Sequence, residues 1–548
     1  MVLKKILDLI PEEYRAKGYL AAALEPIKSV LNLCGVALLV PALSLVLEED
    51  SIFTDYRTEV ITATIAAIAA RSLLCLWIIR YQNRYLLSLY RHYSGKMFTN
   101  LYSKGLVFVK KSNSTELSYD INGASYNFTM GYMSGILRFF GESLFCLLMI
   151  TALLIADFKS TILVFGTLTP IVLAYLILVR KKLHRIGKAE FYKRRDQHKL
   201  VQETFKGYAE MQVNGAYDMM FKRFEKGLKD ISGYSSQRVA IESLPGHLME
   251  IGIAIVASII VLAASDTELQ EMKLFLGVFA VAVMRMIPSI RTLISTYNSL
   301  RNATYSKNII EKECSTESAR PEIPISALPF EKEIKVENVC FGYEDRTVLQ
   351  NIGLTIEKGD IFGIKGRTGS GKSTLFNVLL GLIAPDSGKI TIDGVPLNAE
   401  NAAAWQKRIG YVPQDVFIAD VSLAENVALG CTPDMIDMFR VEQSLTAASM
   451  GDFVSKLPQG LDTKIGETGS RISGGQKQRI GIARALYKGA DVLFFDEATS
   501  SLDSQTEKSV NESIAALNST ESKYTMIIIS HRESSLDICN KLFSLDQQ

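Results

Sequence analysis

The sequence predicts an α-helical bundle embedded in a membrane, followed by a water-soluble α/β domain. Three observations predict this order. Apolar segments long enough to cross a bilayer are confined to residues 27–297, a proline-rich stretch follows them, and short β patterns then alternate with helical patterns. With 548 residues, the chain is also too long for a single hydrophobic core.

Six apolar segments predict six transmembrane helices, because each is close to the roughly 20 residues that a helix needs to span a bilayer. The alternative is that these segments form buried helices of a soluble protein. Six such apolar segments within about 300 residues argue against that alternative. Residues 1–314 are therefore the predicted transmembrane domain. The six segments are 27–47, 58–80, 132–155, 160–179, 248–264 and 274–297.

The charge distribution predicts the orientation of these helices. The polar loops 81–131 and 180–247 are rich in Lys and Arg, whereas the short loops 48–59 and 265–273 are mostly acidic. Basic loops remain on the cytoplasmic side of a membrane. We therefore expect a multi-pass membrane protein with both termini in the cytoplasm. The long loops also have helical patterns, which predicts that the spanning helices continue beyond the bilayer.

The rest of the chain is a linker and a second domain. Residues 315–333 contain three prolines and predict a linker. Residues 334–548 then show the short β runs and helices of an α/β domain. The formal net charge is only +2, which argues against a nucleic-acid-binding protein. The seven cysteines have no CxxC spacing, so no zinc site or disulfide framework is expected.

Residues 366–374, GRTGSGKST, match the P-loop pattern GxxxxGK[ST]. A predicted buried strand precedes them and a predicted helix follows, which is the context that a P-loop requires. We expect Lys372 to reach the β and γ phosphates of a nucleotide and Ser373 to hold Mg²⁺. The predicted nucleotide-binding residues of the loop are Gly366, Arg367, Thr368, Gly369, Ser370, Gly371, Lys372, Ser373 and Thr374.

The segment DVLFFDEATSSLD, residues 491–503, predicts a buried strand that ends in two carboxylates. We expect Asp496, at the tip of the strand, to help hold Mg²⁺. Glu497 points differently and is a candidate base for the attacking water. A solvated strand end is the alternative, and the apolar run VLFF argues against it.

The segment RISGGQKQRIGIAR, residues 471–484, predicts a second anion-binding turn. A Ser-Gly-Gly turn leads into a helix, where free backbone N–H groups and the helix dipole favour a negative charge. The predicted ligand-binding residues of this turn are Ser473, Gly474, Gly475 and Gln476. One domain therefore carries two phosphate-binding turns.

The order and spacing of these motifs resemble the ATPases of ABC transporters. The match includes the P-loop, Gln414 in GYVPQD, ISGGQ at 472–476, FFDEATSSLD, and His531 in IIISHRESS. Six spans followed by one ATPase domain resemble an exporter half-transporter, so the resemblance covers the whole chain. It implies a type I ABC exporter fold with an α/β P-loop NTPase domain. One departure is Ile472, where the family usually has Leu.

The resemblance implies roles for further residues. Tyr343 would stack on adenine, and Glu467 would contact the coupling loops. Gln414 would contact Mg²⁺ and the catalytic water, and His531 would contact the γ-phosphate. ATP and Mg²⁺ are therefore the expected cofactors. The expected catalytic residues are Glu497, His531 and Gln414, and the expected metal-binding residues are Ser373, Gln414 and Asp496.

The resemblance also implies that two ATPase domains pack head to tail. The turn at Ser473 of one chain would close over the γ-phosphate that Lys372 of the other chain holds. This chain has one such domain with all motif residues present, so a homodimer is expected. A heterodimer with one degenerate site stays open as an alternative.

Charged residues within the apolar segments predict a substrate cavity, since a charge inside a membrane is costly and marks function. Arg71 and Arg285 are predicted at similar depths, and Arg291 lies one to two turns further in. Guanidinium groups at one depth would suit a phosphate or carboxylate. The alternative is structural pairing, in which Glu250 neutralises Arg71 or Arg285.

Two local patterns in the third segment predict structural contacts. Arg138 and Glu142 have i, i+4 spacing and are expected to pair with each other. GYMSG at 131–135 is a GxxxG pattern, which predicts close packing of helices.

The second and sixth apolar segments resemble bacterial flippases of lipid-linked oligosaccharides, in RSLLCLW and FAVAVMRMIPSIRTLISTYNSL. The short first outer loop departs from that group. The resemblance implies a location in a bacterial inner (plasma) membrane, with the ATPase domain in the cytoplasm. We expect ATP-driven export or flipping of an amphipathic, anionic, lipid-linked substrate, in contact with membrane lipids. A multidrug or small-molecule exporter is the main alternative. An ATP-gated regulator and an exporter-shaped importer also remain open.

Overall fold

The structure is a computed structural model that describes residues 9–47, 54–156, 158–263, 273–314, 327–343, 346–466, 472–498, 504–518 and 524–547. The chain forms two compact units. The first comprises Met1–Tyr102 and Lys111–Ser318, and the second comprises Ser103–Lys110 and Ala319–Gln548. Most of the predicted linker 315–333 and parts of both short outer loops lie outside the described residues.

Long helices dominate the chain before the predicted linker. They exceed the membrane thickness: α3, α7 and α9 have 47, 49 and 47 residues, respectively. At 1.5 Å per residue each is roughly 70 Å long, about twice the hydrocarbon core. The prediction that spanning helices continue beyond the bilayer is confirmed. The helices are α1 (Glu12–Ala37), α2 (Val40–Leu47), α3 (Arg57–Ser103), α4 (Gly105–Lys111), α5 (Ser114–Ser118), α6 (Ser134–Ala156), α7 (Phe158–Lys206), α8 (Tyr208–Val213), α9 (Tyr217–Ala263) and α10 (Lys273–Cys314), with 3₁₀ helix Thr54–Tyr56 and π-helical turns Tyr119–Ala124 and Asn127–Met133.

Within the described residues, four helical stretches are long and apolar enough to cross a membrane. Four of the six predicted segments lie on these stretches or overlap them. Of the other two, 160–179 lies on α7, and 248–264 lies on α9 as far as residue 263, where the helix ends. The four stretches are Glu12–Leu45, Arg57–Ser103, Glu116–Ala156 and Phe279–Arg301.

Glycines bring α6 and the turn before it close to α10. A Cβ on Gly131 would lie 3.3 Å from the Ala303 Cβ, and one on Gly135 would lie 2.9 Å from the Leu300 Cδ2. The GxxxG pattern at 131–135 is therefore at a helix contact, as predicted. A buried cluster joins α1, α6 and α10 further along these helices; it contains Val36, Phe145, Met149, Leu153, Phe279, Ala282 and Met286.

The second unit contains two sheets. Four strands form an antiparallel sheet in the order β2-β1-β4-β5, and five form a parallel sheet in the order β6-β7-β8-β3-β9. The strands are β1 (Glu333–Tyr343), β2 (Arg346–Glu357), β3 (Ile361–Lys365), β4 (Ser387–Ile392), β5 (Val395–Pro396), β6 (Ile409–Val412), β7 (Val492–Asp496), β8 (Thr525–Ile529) and β9 (Lys541–Ser544). The helices are α11 (Lys372–Leu379), α12 (Ala402–Gln406), α13 (Leu423–Val427), α14 (Met438–Ala447), α15 (Gly451–Ser455), α16 (Gly474–Lys488), α17 (Ser504–Asn518) and α18 (Glu533–Leu536), with 3₁₀ turns at Pro433–Met435, Gly460–Asp462 and Leu545–Gln547.

The parallel sheet separates two hydrophobic cores. Alternate residues of β7 point to opposite faces, so Phe494 lies in one core and Phe495 in the other. Leu375 of α11 belongs to the core of Phe494, whereas Ile480 of α16 belongs to the core of Phe495. Helices α11 and α16 therefore pack on opposite faces of one sheet.

A short segment from the loop after the second apolar segment belongs to the second unit. This segment, Ser103–Lys110, groups with that unit. Leu106 and Val107 pack against the hydrophobic core that contains α11. Part of a loop between predicted spanning helices is thus held on the α/β domain.

Candidate functional site

The carboxyl ends of the parallel strands bring the predicted nucleotide-site residues to one edge. The P-loop follows β3, Gln414 follows β6, Asp496 ends β7, and His531 follows β8. Because these strands are parallel, their carboxyl ends meet at the same edge of the sheet. This edge is where α/β proteins usually bind ligands.

Two glycines give the P-loop its shape. Gly369 has φ +82° and Gly371 has φ +97°, both in the left-handed region that favours glycine. A Cβ on Gly371 would also lie 3.0 Å from the Leu349 Cδ2. The loop then leads directly into α11, which begins at Lys372. Backbone N–H groups in such a turn and at the start of a helix are suited to bind an anion.

Lys372 is held within this loop. Its side chain is only 5% exposed, and the ammonium donates hydrogen bonds to the carbonyls of Gly366 (2.8 Å) and Arg367 (2.9 Å). Beside it, the Ser370 Oγ is buried and has no hydrogen-bond partner among the described residues. The loop therefore presents a donor without a partner and an ammonium on exchangeable carbonyl contacts, which suits a phosphate group.

The electrostatic surroundings of Lys372 are mixed. Burial lowers the pKa of its ammonium, while the carboxylates of Glu497, Asp546 and Asp496 oppose that shift. Burial raises the pKa of Asp496, and the charge of Glu497 raises it further. Both effects disfavour the ionised form of Asp496, and a bound cation would stabilise that form. Acidic and basic groups thus lie close together at this edge, as a site for a phosphate with a cation requires.

Glu497 and His531 form a pair. The His531 Nε2 lies 3.1 Å from the Glu497 Oε1. Glu497 has φ +48°, which is uncommon for a residue with a side chain, and its N–H donates to the Ile529 carbonyl at 2.9 Å. This backbone turn directs Glu497 towards His531 while Asp496 remains at the strand end. Such a carboxylate and imidazole can accept and hold a proton from water.

The turn at Ser473 caps α16. The Gln476 N–H donates to the Ser473 Oγ at 3.3 Å, and the Ser473 N–H donates to the Gln476 Oε1 at 2.8 Å. Ser473 and Gly474 are exposed, whereas Gly475 is buried. Ile472 is 9% exposed and lies in the same core as α16, so this position, where the family usually has Leu, suits an apolar side chain.

The structure therefore brings some predicted residues together and separates others. Lys372, Asp496, Glu497 and His531 meet at one edge, and the Gln414 carbonyl there accepts a hydrogen bond from the Gln478 Nε2 at 2.7 Å. The turn at 473–476 belongs to the helix on the opposite face of the sheet.

Tyr343 and Glu467 are two further residues with predicted roles in the ATPase domain. Tyr343 packs edge to face on Phe341, with ring centroids 5.0 Å apart. Glu467 lies outside the described residues.

Asp546 is a residue of this edge that the sequence did not predict. Its two carboxylate oxygens accept the Arg367 N–H at 2.9 and 3.1 Å. Strand β9 pairs with β3, which places Asp546 beside the P-loop. No local motif marks this residue, because its position depends on the pairing of distant strands.

The first unit contains a charged cavity of about 570 Å³. Arg71 and Arg285, both predicted for such a cavity, line it together. Their Nη2 atoms donate hydrogen bonds to the same acceptor, the Asn32 Oδ1, at 3.3 and 3.2 Å. Arg138 also lines the cavity, and so does Lys28, which pairs with the buried Glu25 at 2.7 Å.

The predicted pairings within the membrane domain need correction. Arg291 pairs with Glu250, with 3.3 Å between Nη2 and Oε1, and it is not among the residues that line the cavity of Arg71. The alternative prediction, in which Glu250 neutralises Arg71 or Arg285, is therefore wrong, because Glu250 pairs with Arg291. Arg138 and Glu142 both line the cavity without an ion pair between them, although their spacing predicted one. The i, i+4 spacing permits such an ion pair but does not require it, because both side chains can extend into the cavity instead.

Comparisons with known proteins agree on one family. The sequence profile described as ABC transporter matches residues 349–500. An ATP-dependent lipid A-core flippase of Cupriavidus metallidurans is 30% identical over 466 residues, which are 82% of this chain and 76% of that protein. A flippase of the same name from Burkholderia orbicola is 32% identical over 376 residues, or 67% of this chain and 62% of that protein.

A solved structure shows the same fold. It is described as a bacterial Atm1-family ABC exporter with ATP bound, and it aligns with a TM-score of 0.71 at 22% identity. The alignment covers 98% of this chain and 93% of that chain. The chain is thus a multi-pass integral membrane protein with an ATP-binding domain that couples ATP hydrolysis to transport. It belongs to the ABC transporter family, as an exporter-type chain that fuses a membrane domain to an ATPase domain.

Proposed function

We propose that this transporter moves an anionic, amphipathic, lipid-linked substrate across the membrane, working as a dimer of two identical chains. The observation that carries the substrate class is the convergence of Arg71 and Arg285 on one neutral acceptor, Asn32, inside the cavity. The names of the relatives, lipid A-core flippases, support a lipid substrate.

The charge of the cavity supports an anionic ligand. Among the described residues, neither Arg71 nor Arg285 has a carboxylate within ion-pair distance, and the Arg71 Nε is buried without a hydrogen-bond partner. An amide oxygen does not neutralise a guanidinium, so both positive charges remain available to a ligand. Phosphate oxygens accept charge-assisted hydrogen bonds from guanidinium groups with favourable geometry. A phosphate-bearing headgroup would therefore replace Asn32 as their shared acceptor.

The placement of the two phosphate-binding turns supports a dimer. Lys372 begins the helix on one face of the parallel sheet, and Ser473 caps the helix on the other face. Because Ser473 is exposed, its turn is accessible to a nucleotide that another copy holds. We propose that ATP lies between the P-loop of one chain and the Ser473 turn of its partner, and that the two equivalent sites close and open the dimer.

Within each proposed ATP site, different residues of the chain would bind the nucleotide, activate the water and hold Mg²⁺. Lys372 and the loop N–H groups would bind the phosphates, and Tyr343 would stack on the adenine. Glu497 would accept the proton of the attacking water, while His531 would hold the γ-phosphate and the water in position. Ser373, Gln414 and Asp496 would hold Mg²⁺, which would neutralise developing negative charge. The raised pKa of the buried Asp496 fits such a cation.

The substrate proposal predicts an effect of the cavity arginines. We expect the Arg71→Ala/Arg285→Ala double variant to bind phosphatidic acid at least tenfold more weakly than wild type. Two charge-assisted hydrogen bonds of roughly 1.5–3 kcal/mol each would be lost. The test is the dissociation constant of fluorescent phosphatidic acid, measured by titration of the full-length wild-type and variant proteins in uncharged detergent.

The matched control is Arg84→Ala, on the same helix as Arg71 but exposed and outside the cavity lining. It should bind phosphatidic acid as the wild type does. Equal affinity of the double variant and wild type would contradict the anionic substrate and favour a small-molecule exporter.

A further inference from the structure

We propose that Glu507 is a positioning residue for the catalytic His531. This inference rests on the proposed role of His531 in ATP hydrolysis. It concerns a buried carboxylate on α17 that no nucleotide-binding motif includes. Glu507 would act through the loop that carries the histidine rather than by contact with the nucleotide.

Glu507 uses both carboxylate oxygens to hold the residues that follow His531. The Arg532 guanidinium pairs with its Oε2, and the Ser534 hydroxyl donates to its Oε1 at 2.6 Å. The residue is 7% exposed. A buried charge is costly unless it is paired and hydrogen-bonded, so breaking either contact would leave an unfavourable group in the interior. The loop is therefore fixed to α17.

A second contact one helical turn further along α17 reinforces the first. The Asn511 Nδ2 donates to the Ser535 Oγ at 3.3 Å. Glu507 and Asn511 have i, i+4 spacing and so lie on the same face of the helix. Three of the four residues directly after His531 are thus held by one face of α17.

The histidine itself has little to fix it. Its side chain is 39% exposed, and its polar contact among the described residues is the 3.1 Å approach to Glu497. An exposed imidazole on an unsupported loop would sample many positions, whereas catalysis needs the nitrogen within hydrogen-bond distance of its partner. The anchored backbone at residues 532–535 supplies this restriction. Loss of the anchor should therefore slow the chemical step without weakening the binding of ATP to the P-loop.

Steady-state ATPase assays on the full chain in lipid nanodiscs would test this. We expect Glu507→Ala to lower kcat by about tenfold, with KM for ATP within twofold of wild type. Glu507→Gln should retain most of the turnover, because its amide oxygen can still accept from Arg532 and its amide nitrogen can donate to the Ser534 hydroxyl, which keeps both contacts of the loop. Glu512→Ala, an exposed acid on the same helix, is the matched control and should behave as the wild type does.

A double-mutant cycle separates positioning from a general loss of folding. In a His531→Ala background, Glu507→Ala should change kcat by less than about twofold, because residues that act through one another have non-additive effects. An additive loss in that background would overturn the proposal, and so would an unchanged kcat for Glu507→Ala alone. If His531→Ala itself left turnover intact, the proposed role of His531 would fail instead, which distinguishes the two claims.

Discussion

Replacing Glu497 by Gln is expected to lower ATP turnover at least 100-fold while ATP still binds, since a positioned general base contributes roughly 10²–10⁴ to the rate. The amide keeps the shape of the side chain and can still meet the His531 nitrogen, which lies 3.1 Å from the carboxylate. It cannot accept the proton of the attacking water at neutral pH. Phosphate release from the purified full-length protein would measure turnover, and equilibrium binding of a fluorescent ATP analogue would measure affinity.

Glu400→Gln is the matched control for this change, because Glu400 is an exposed acid of the same domain. Its turnover should equal that of wild type. Turnover of the Glu497→Gln protein within threefold of wild type would mean that another group serves as the base. Loss of ATP binding in this variant would instead mean that Glu497 supports the site structurally.

Replacing Lys372 by Ala is expected to weaken ATP binding by at least about a hundredfold and to remove hydrolysis. Within the part of the chain that the structure describes, the Lys372 ammonium donates to the carbonyls of Gly366 and Arg367 and has no carboxylate within ion-pair distance. It is therefore free to exchange these for phosphate oxygens. Loss of two charge-assisted hydrogen bonds of roughly 1.5–3 kcal/mol each accounts for the expected change.

Lys358→Ala controls for the loss of a positive charge, since Lys358 is exposed on the same domain. Both variants should be compared by ATP binding and by thermal unfolding. A Lys372→Ala protein that binds ATP with wild-type affinity would show that the backbone of the loop alone holds the nucleotide.

Most residues of the candidate nucleotide site could be identified from the sequence because they lie in short contiguous motifs. A P-loop needs its glycines, Lys372 and Ser373 within nine residues, and the acid pair Asp496–Glu497 directly follows one buried strand. Such patterns depend on local backbone geometry, which the chain specifies by itself. The exporter fold followed from the same motifs and from the apolar segments.

The contacts that the sequence did not predict join residues far apart in the chain. Asn32 accepts from both Arg71 and Arg285, and Glu250 pairs with Arg291. Which carboxylate or amide meets which guanidinium depends on how the helices are rotated against each other, and periodicity does not specify that rotation. Asp546 was missed for a similar reason, because it reaches the P-loop only through the pairing of β9 with β3.

The central claim is that each ATP lies between the P-loop of one copy and the Ser473 turn of the other. Mixed dimers, purified with two different affinity tags, test it most directly. A Lys372→Ala copy paired with a Ser473→Arg copy should keep one intact site and hydrolyse ATP. A wild-type copy paired with a Lys372→Ala/Ser473→Arg copy should have no intact site and be inactive. The reverse pattern, with the first pairing inactive and the second active, would show that each chain completes its own site and would contradict the account.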